Sequence, residues 1–197
     1  MKILVACECS ATVRDAFRKL GHDAWSCDIL PCDGDPKYHL QQDVTELLKE
    51  HWDMIIAHPP CTYLSNAGAR FLYPKGILNI NRLKKGLEAK EFFMKLYNAD
   101  CKMIAVENPI PSSVYGLPKY TQTIEPYQFG HPFKKKTCLW LKGLPNLMPT
   151  NIIAADEIQS TKIAGNWFNK GGKDRQKNRA KTFQGIADAM ANQWGNL

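Results

Sequence analysis

Cys61 closes an apolar run, Asp53-Met54-Ile55-Ile56-Ala57-His58-Pro59-Pro60-Cys61, and opens the small polar stretch Thr62-Tyr63-Leu64-Ser65-Asn66-Ala67-Gly68. A thiol so placed can serve as a nucleophile, with the thiolate as the attacking form. Two consecutive prolines fix φ and remove two backbone donors, so a strand must stop before Cys61 and leave it in a stiff loop at the strand's C-terminal edge. A second apolar run, Lys102-Met103-Ile104-Ala105-Val106, ends in Glu107-Asn108-Pro109. A carboxylate beside a nucleophile suits activation of a ring nitrogen. Cysteine is also among the most often buried residue types, so Pro-Pro-Cys taken alone reads equally well as a structural thiol.

Several elements must bring these residues together. Residues 2–6 read as a strand, followed by a helix from about Ser10 to Leu20 with Val13, Ala16, Phe17 and Leu20 at helical spacing, closed by Gly21. A second strand from His22 to Cys27 ends at Asp28, and a loop with Pro31, Gly34 and Pro36 leads to Asp43, an N-cap for a helix from Val44 to Glu50. A strand over 53–57 precedes a long loop to about Leu78 and a helix to about Tyr97 carrying Leu83, Leu87, Phe92, Phe93 and Leu96. After a strand over 102–106, prolines at 109, 111, 118 and 126 break the order of parallel units. An apolar run from Thr137 to Leu141 and a last helix from about Arg179 to Trp194, with Ile186, Met190 and Trp194 on one face, complete the chain. Strands alternating with helices imply an α/β fold with a mostly parallel, doubly wound sheet. Ligands of such a sheet bind at the C-terminal ends of its strands.

At 197 residues the chain is long enough for one sizeable core and short for two, so a single domain spanning 1–197 is expected. Hydrophobic residues make up 44% and charged ones 23%, and no apolar run approaches the roughly 20 residues of a membrane span, which predicts a soluble protein. The opening Met1-Lys2-Ile3-Leu4-Val5-Ala6 is too short and too soon followed by Glu8 and Arg14 for a signal peptide. Seven irregularly spaced cysteines argue against a disulfide framework and for a reducing cytoplasm. No Cys-x-x-Cys or His-x-x-x-His pair points to a metal. The net charge of +7 suits a polyanionic partner, and Lys170, Lys173, Arg175, Lys177, Arg179 and Lys181 crowd one segment against the single acid Asp174. That cluster is a phosphate-gripping loop or a solvated surface.

The turn after the first strand, Cys7-Glu8-Cys9-Ser10-Ala11, has no glycine, so it is not the phosphate cradle of dinucleotide binders. It suits an adenosine-containing ligand without pyrophosphate, with Asp28 at the end of the second strand on the ribose hydroxyls. S-adenosylmethionine is such a ligand. Each residue also has a local reading: Asp28 as a strand end, Asp43 as a helix cap, and Glu8 as a hydrogen-bond partner within the turn.

Pro-Pro-Cys preceded by Asp-x-Ile-Ile, followed by Ser-Asn-Ala-Gly and joined to Glu-Asn on the next strand, resembles the DNA (cytosine-5) methyltransferases, with Pro109 where that family more often has valine. The resemblance spans nearly the whole chain but is specific only at these two motifs. It implies a Rossmann-like S-adenosylmethionine-dependent methyltransferase fold in which Cys61 adds to cytosine C6 and Glu107, beside Asn108, holds N3 and the exocyclic amine. It places the cofactor against Cys7, Glu8, Cys9, Ser10, Asp28, Ile29, Asp43, Pro59 and Asn166, the last from a Gly165-Asn166 pair before the terminal helix.

For the substrate it implies Ser65, Asn108, the Lys135-Lys136-Thr137 run and the basic residues Lys173, Arg175 and Lys177. Lysines stand where the family has spaced arginines, and the two are not equivalent at a bidentate site. Lys135 and Thr137 share one strand face and Lys136 and Cys138 the other; the sequence does not say which meets substrate. The family's long target-recognition region is missing, since about two dozen residues separate Trp140 from Gly165. DNA is the expected substrate, with a free cytidine nucleotide or a noncatalytic nucleic-acid or protein-binding module as alternatives. A homodimer or a partner subunit supplying target recognition would make good the missing region.

Overall fold

The structure, a computed structural model, describes residues 1–159 and 179–197. In chain order the helices and strands are β1 (Lys2–Ala6), α1 (Thr12–Lys19), β2 (Asp23–Asp28), β3 (His39–Gln41), α2 (Val44–Leu47), β4 (Met54–Ala57), α3 (Asn66–Ala69), α4 (Ile80–Tyr97), β5 (Met103–Pro109), β6 (Gln122–Ile124), β7 (Thr137–Lys142) and α5 (Gln184–Trp194). The strands form one seven-stranded sheet in the order β3-β2-β1-β4-β5-β7-β6. Only β7 runs against the others, pairing antiparallel with both β5 and β6. The α/β, Rossmann-like, mostly parallel doubly wound sheet expected from the sequence is the fold observed.

Alternation along the strands sorts the core into two layers. Ile3, Val5, Met54, Ile56, Ala105 and Leu139 face α1 and α5, packing on Val13, Phe17, Ile186, Met190 and Trp194. Leu4, Ala6, Ile55, Ala57, Ile104, Val106 and Trp140 face the opposite layer, with Val44, Leu47, Phe93 and Leu96 of α2 and α4. Because both faces are covered, β1, β4 and β5 read as unbroken apolar runs. Burying a side chain such as Phe17 or Phe93, both fully enclosed, contributes roughly 1.5–3 kcal/mol.

The differences from the sequence expectation lie where local signals are short. The three-residue strands β3 and β6 and the four-residue α3 are too brief to show a period, and α2 stops at Leu47 instead of Glu50. β5 runs past 106 to Pro109, because β7 supplies partners for its extra residues: Glu107 with Leu139, Asn108 with Cys138 and Pro109 with Thr137. The last helix begins at Gln184 and not near Arg179, since buried Phe183 takes an extended backbone in front of it. No helix of the described residues is long and apolar enough to cross a membrane.

Candidate functional site

The turn after β1 is built without glycine, and the backbone carries the consequence. Cys7 (φ 59°) and Ala11 (φ 62°) both take the left-handed conformation, which costs a non-glycine residue about 1–2 kcal/mol. What holds them there is Glu8. Its buried carboxylate accepts from the backbone N–H of Val13 (2.7 Å) and Arg14 (3.2 Å), capping α1, and from the Ser10 hydroxyl (3.2 Å). Glu8 therefore shapes the turn from inside, the local role that sequence allows it. The buried Arg14 guanidinium then fastens the loop after β2, donating to Ser26 Oγ (3.3 Å) and the carbonyl of Asp35 (2.9 Å).

Asp28 and Asp43 both face this turn. Burial pushes the Cys7 thiol far above its ordinary range, and the charges of Asp28 and Asp43 push it further, which locates both carboxylates near Cys7. One Asp28 oxygen accepts from Leu30 N–H (2.9 Å), leaving the second for a ligand. Asp43 Oδ1 accepts from the backbone N–H (2.9 Å) and hydroxyl (2.8 Å) of Thr45, so it caps α2 and its carboxyl is held below the usual range by those bonds. Beside Asp28, Ile29 is 74% exposed, an apolar side chain open to solvent at the rim of the turn. A carboxylate oxygen for a ribose diol, an apolar neighbour for a purine face and a turn without a phosphate cradle fit S-adenosylmethionine. Pro59 is buried two residues beyond the end of β4.

Cys61 sits in the loop after β4 and is partly buried. The loop folds tightly: Ser65 N–H donates to the Cys61 carbonyl (3.0 Å), and Ser65 Oγ accepts from Gly68 N–H (3.3 Å) to cap α3. A side chain at Gly68 would run into the Thr62 carbonyl, so only glycine lets the chain return so closely. Arg82 of α4 clamps the same loop, donating to the carbonyls of Thr62 (3.0 Å) and Gly68 (3.1 Å). Backbone bonds from Asn66 to Ile110 (2.8 Å) and from Ser112 to Leu64 (2.7 Å) tie it to the chain beyond β5. Ser65 is buried in this framework, which makes it a support for the Cys61 loop.

Next to Cys61 lies a buried pair of which the sequence motifs single out only Glu107. His58 Nδ1 is 3.0 Å from Glu107 Oε2, and the two side chains are only 8% and 19% exposed. Register brings them together: Ala57 pairs with Val106, so the next residue of each strand stands at the same sheet edge. Burial pushes the imidazole down, but the bond to Glu107, its charge and that of Glu8 outweigh this and hold His58 above its ordinary value. Burial likewise raises Glu107, yet the His58 bond and charge with help from Lys135 bring it below the usual range. Each partner thus favours the charged form of the other, an imidazolium facing a carboxylate.

The two faces of the lysine run separate at a small cavity lined by His58, Glu107, Lys135, Thr137 and Thr182, with about 20 Å³ of space, enough for one water. Lys135 and Thr137 meet Glu107; exposed Lys136 and buried Cys138 belong to the other face. Asn108, beside Glu107 in sequence, points away from it and turns its amide to the Pro109 carbonyl (2.6 Å). Lys135 donates to the Arg179 carbonyl (2.8 Å), and both cations bear on Cys61. Burial raises the Cys61 thiol and Glu107 raises it further, more than Lys135 and Arg179 lower it, so the resting group is a protonated thiol. Asn166, Lys173, Arg175 and Lys177 lie outside the described residues.

Sequence alternation could have found His58: it is the polar member of a buried face continuing from Met54 and Ile56, directly before the prolines. No family model matches the chain, and no curated protein matches it. Among solved structures it is similar to an E. coli prophage protein described as a DNA modification methyltransferase, with TM-score 0.44 and 14% identity over 77% of this chain and 51% of that one. It is similar also to the Entamoeba histolytica methyltransferase EhMeth (0.43, 12%, 77% and 57%) and to a variant of Spodoptera frugiperda DNMT2 (0.38, 16%, 77% and 54%). The chain spans about half the length of these structures.

Proposed function

We propose that the chain is an S-adenosylmethionine-dependent methyltransferase acting on cytosine C5, with DNA as substrate and Cys61 as the covalent nucleophile. The observation that carries this is the placement of Cys61 and Glu107 at the C-terminal ends of neighbouring parallel strands, close enough for the Glu107 charge to act on the thiol. Cytosine C5 is a poor nucleophile. Addition of the Cys61 thiolate to C6 forms the S–C6 bond and moves the C5–C6 electron pair to C5, making that carbon nucleophilic. Glu107 accepts from the exocyclic amine, and a proton taken up from solvent and shared between Glu107 and N3 offsets the negative charge that develops on the ring. The β1 turn and Asp28 would hold S-adenosylmethionine, which would supply the methyl group as an electrophile and leave as S-adenosylhomocysteine. Loss of the C5 proton to solvent then returns an electron pair to the ring and breaks the S–C6 bond, releasing Cys61.

The resting thiol must lose its proton before attack. Lys135 and Arg179 favour the thiolate, and Glu107 opposes it. A base whose amine engages the Glu107 carboxylate offsets that opposition, so the nucleophile is activated when substrate is in place.

A free cytidine nucleotide is the second reading, favoured by the short chain left between β7 and the terminal helix for contacting a duplex. Transfer of labelled methyl from S-adenosylmethionine to DNA and to cytidine nucleotides separates the two. DNA carrying 5-fluorocytosine should trap an adduct on Cys61, because fluorine cannot leave as the C5 proton does, and Cys61→Ser should abolish both transfer and trapping while sparing cofactor affinity. An adduct on Cys9 or Cys138 overturns the assignment. Cofactor binding with no transfer to DNA, RNA or nucleotides leaves a noncatalytic binding module.

A further inference from the structure

His58 has no part in the chemistry assigned to Cys61 and Glu107, yet its two ring nitrogens are treated very differently. Nδ1 is bonded to Glu107 Oε2, while Nε2 is buried and finds no hydrogen-bond partner among the described residues. A histidine that only braces a core satisfies both nitrogens, since an unpaired buried polar atom is costly. This one stands at the C-terminal edge of the sheet and lines the cavity shared by Glu107, Lys135, Thr137 and Thr182. The charged groups that face it are Glu107 from β5, Glu8 from the β1 turn and Lys135 from the segment before β7.

We propose that His58 is a positioning residue for Glu107: through Nδ1 it fixes the carboxylate's rotamer, leaving Oε1 to meet the base. The role of Glu107 itself rests on the cytosine reading above. Oε2 is committed to the imidazole, so a single oxygen is presented in a defined direction. A carboxylate held in this way needs no reorganisation when substrate enters, which is how fixed dipoles and charges favour a transition state. The bond and charge of His58 also favour the anionic form of Glu107 against its burial. Nε2 stays without a partner among the described residues, beside a cavity with space for one water.

The test uses the full-length protein and two variants. His58→Asn keeps a hydrogen-bonding group close to the Nδ1 position without the charge, and His58→Ala removes both. Titration of the Glu107 carboxylate by carbon-13 NMR, assigned by its loss in Glu107→Gln, should move to higher pH in both variants. Methyl transfer to DNA should fall about tenfold or more in kcat for His58→Asn, and further for His58→Ala. KM for DNA and affinity for S-adenosylmethionine should hardly change, and the acid limb of the kcat profile should move up with the Glu107 titration. An unmoved Glu107 titration overturns the proposal whatever the activity, and so does a moved titration with kcat unchanged. If the parent protein transfers no methyl group to DNA or nucleotides while the Glu107 titration moves, the coupling of His58 to Glu107 stands and the cytosine reading falls.

Discussion

His58 Nδ1 and Glu107 Oε2, 3.0 Å apart, link the ends of two neighbouring parallel strands by a buried charge-assisted hydrogen bond. The bond joins the start of the Cys61 loop to Glu107, so it ties the two segments that the proposed chemistry brings together.

This pair makes stability depend on pH in a defined window. Glu107 is held below its ordinary value, so its contribution is present above about pH 4.3 and is lost as pH falls through the folded value. His58 is held above its own, so its contribution is complete below about pH 6.5 and is lost as pH rises through the folded value. Urea unfolding of the parent and of His58→Leu should therefore differ most between about pH 4.3 and 6.5. Removing one partner of a buried ion pair costs roughly 3–5 kcal/mol, and that is the difference expected in the window. A stability difference that stays level from pH 4 to 9 would show that the pair carries no charge.

The two acids near the β1 turn should separate by readout. Asp28 keeps one carboxylate oxygen for a ligand, and losing a charge-assisted hydrogen bond costs roughly 1.5–3 kcal/mol, so calorimetry on Asp28→Ala should show about a tenfold or larger loss of S-adenosylmethionine affinity. Asp43 spends Oδ1 on capping α2, so Asp43→Ala should cost about 1 kcal/mol of stability as well as any ligand contact. Unchanged affinity in Asp28→Ala would move the cofactor elsewhere.

The sequence carried the layer architecture because β1, β4 and β5 are apolar on both faces and α1 and α5 are apolar on one, signals that survive without knowledge of the partners. It carried Cys61 because two prolines end β4 whatever packs around them. It did not separate Lys135 from Lys136, since alternation says that they face opposite ways and only the pairing of β7 with β5 says which one meets Glu107. Nor did it separate Asn108 from Glu107, since adjacency in an extended strand means opposite sides of the sheet. His58 was missed because its importance lies in the β4–β5 register, a relation between distant segments. Glu8 and Ser65 turned out to be engaged in caps, the local alternative that acidic and hydroxyl side chains always offer near a helix start.

Lys173, Arg175 and Lys177 belong to a segment whose composition favours phosphate contact over base reading. Neutralising all three should weaken DNA binding and flatten the slope of log K against log salt by about 0.9 for each phosphate that the chain no longer neutralises, with cofactor affinity intact. Survival of both the affinity and the slope would leave the segment a solvated surface and favour the nucleotide substrate.

The last prediction concerns the thiol itself, whose resting state follows from a contest of nearby charges. Burial and Glu107 raise Cys61 above its ordinary value, while Lys135 and Arg179 lower it without prevailing. Alkylation at Cys61, followed by mass spectrometry to separate it from the other six cysteines, should be slow at pH 7 and accelerate only as pH rises past the ordinary thiol range. Glu107→Gln removes a raising charge and should speed alkylation at neutral pH, whereas Lys135→Ala removes a lowering one and should slow it. Lys136→Ala, on the far face of the strand, should change the rate little. Each pKa unit is about tenfold in the thiolate fraction, so shifts of a fraction of a unit to one unit are readable as severalfold changes in rate. If Lys136→Ala slows Cys61 as much as Lys135→Ala does, the cavity face has been assigned to the wrong lysine. A faster Lys135→Ala would reverse the sign of the electrostatic argument altogether.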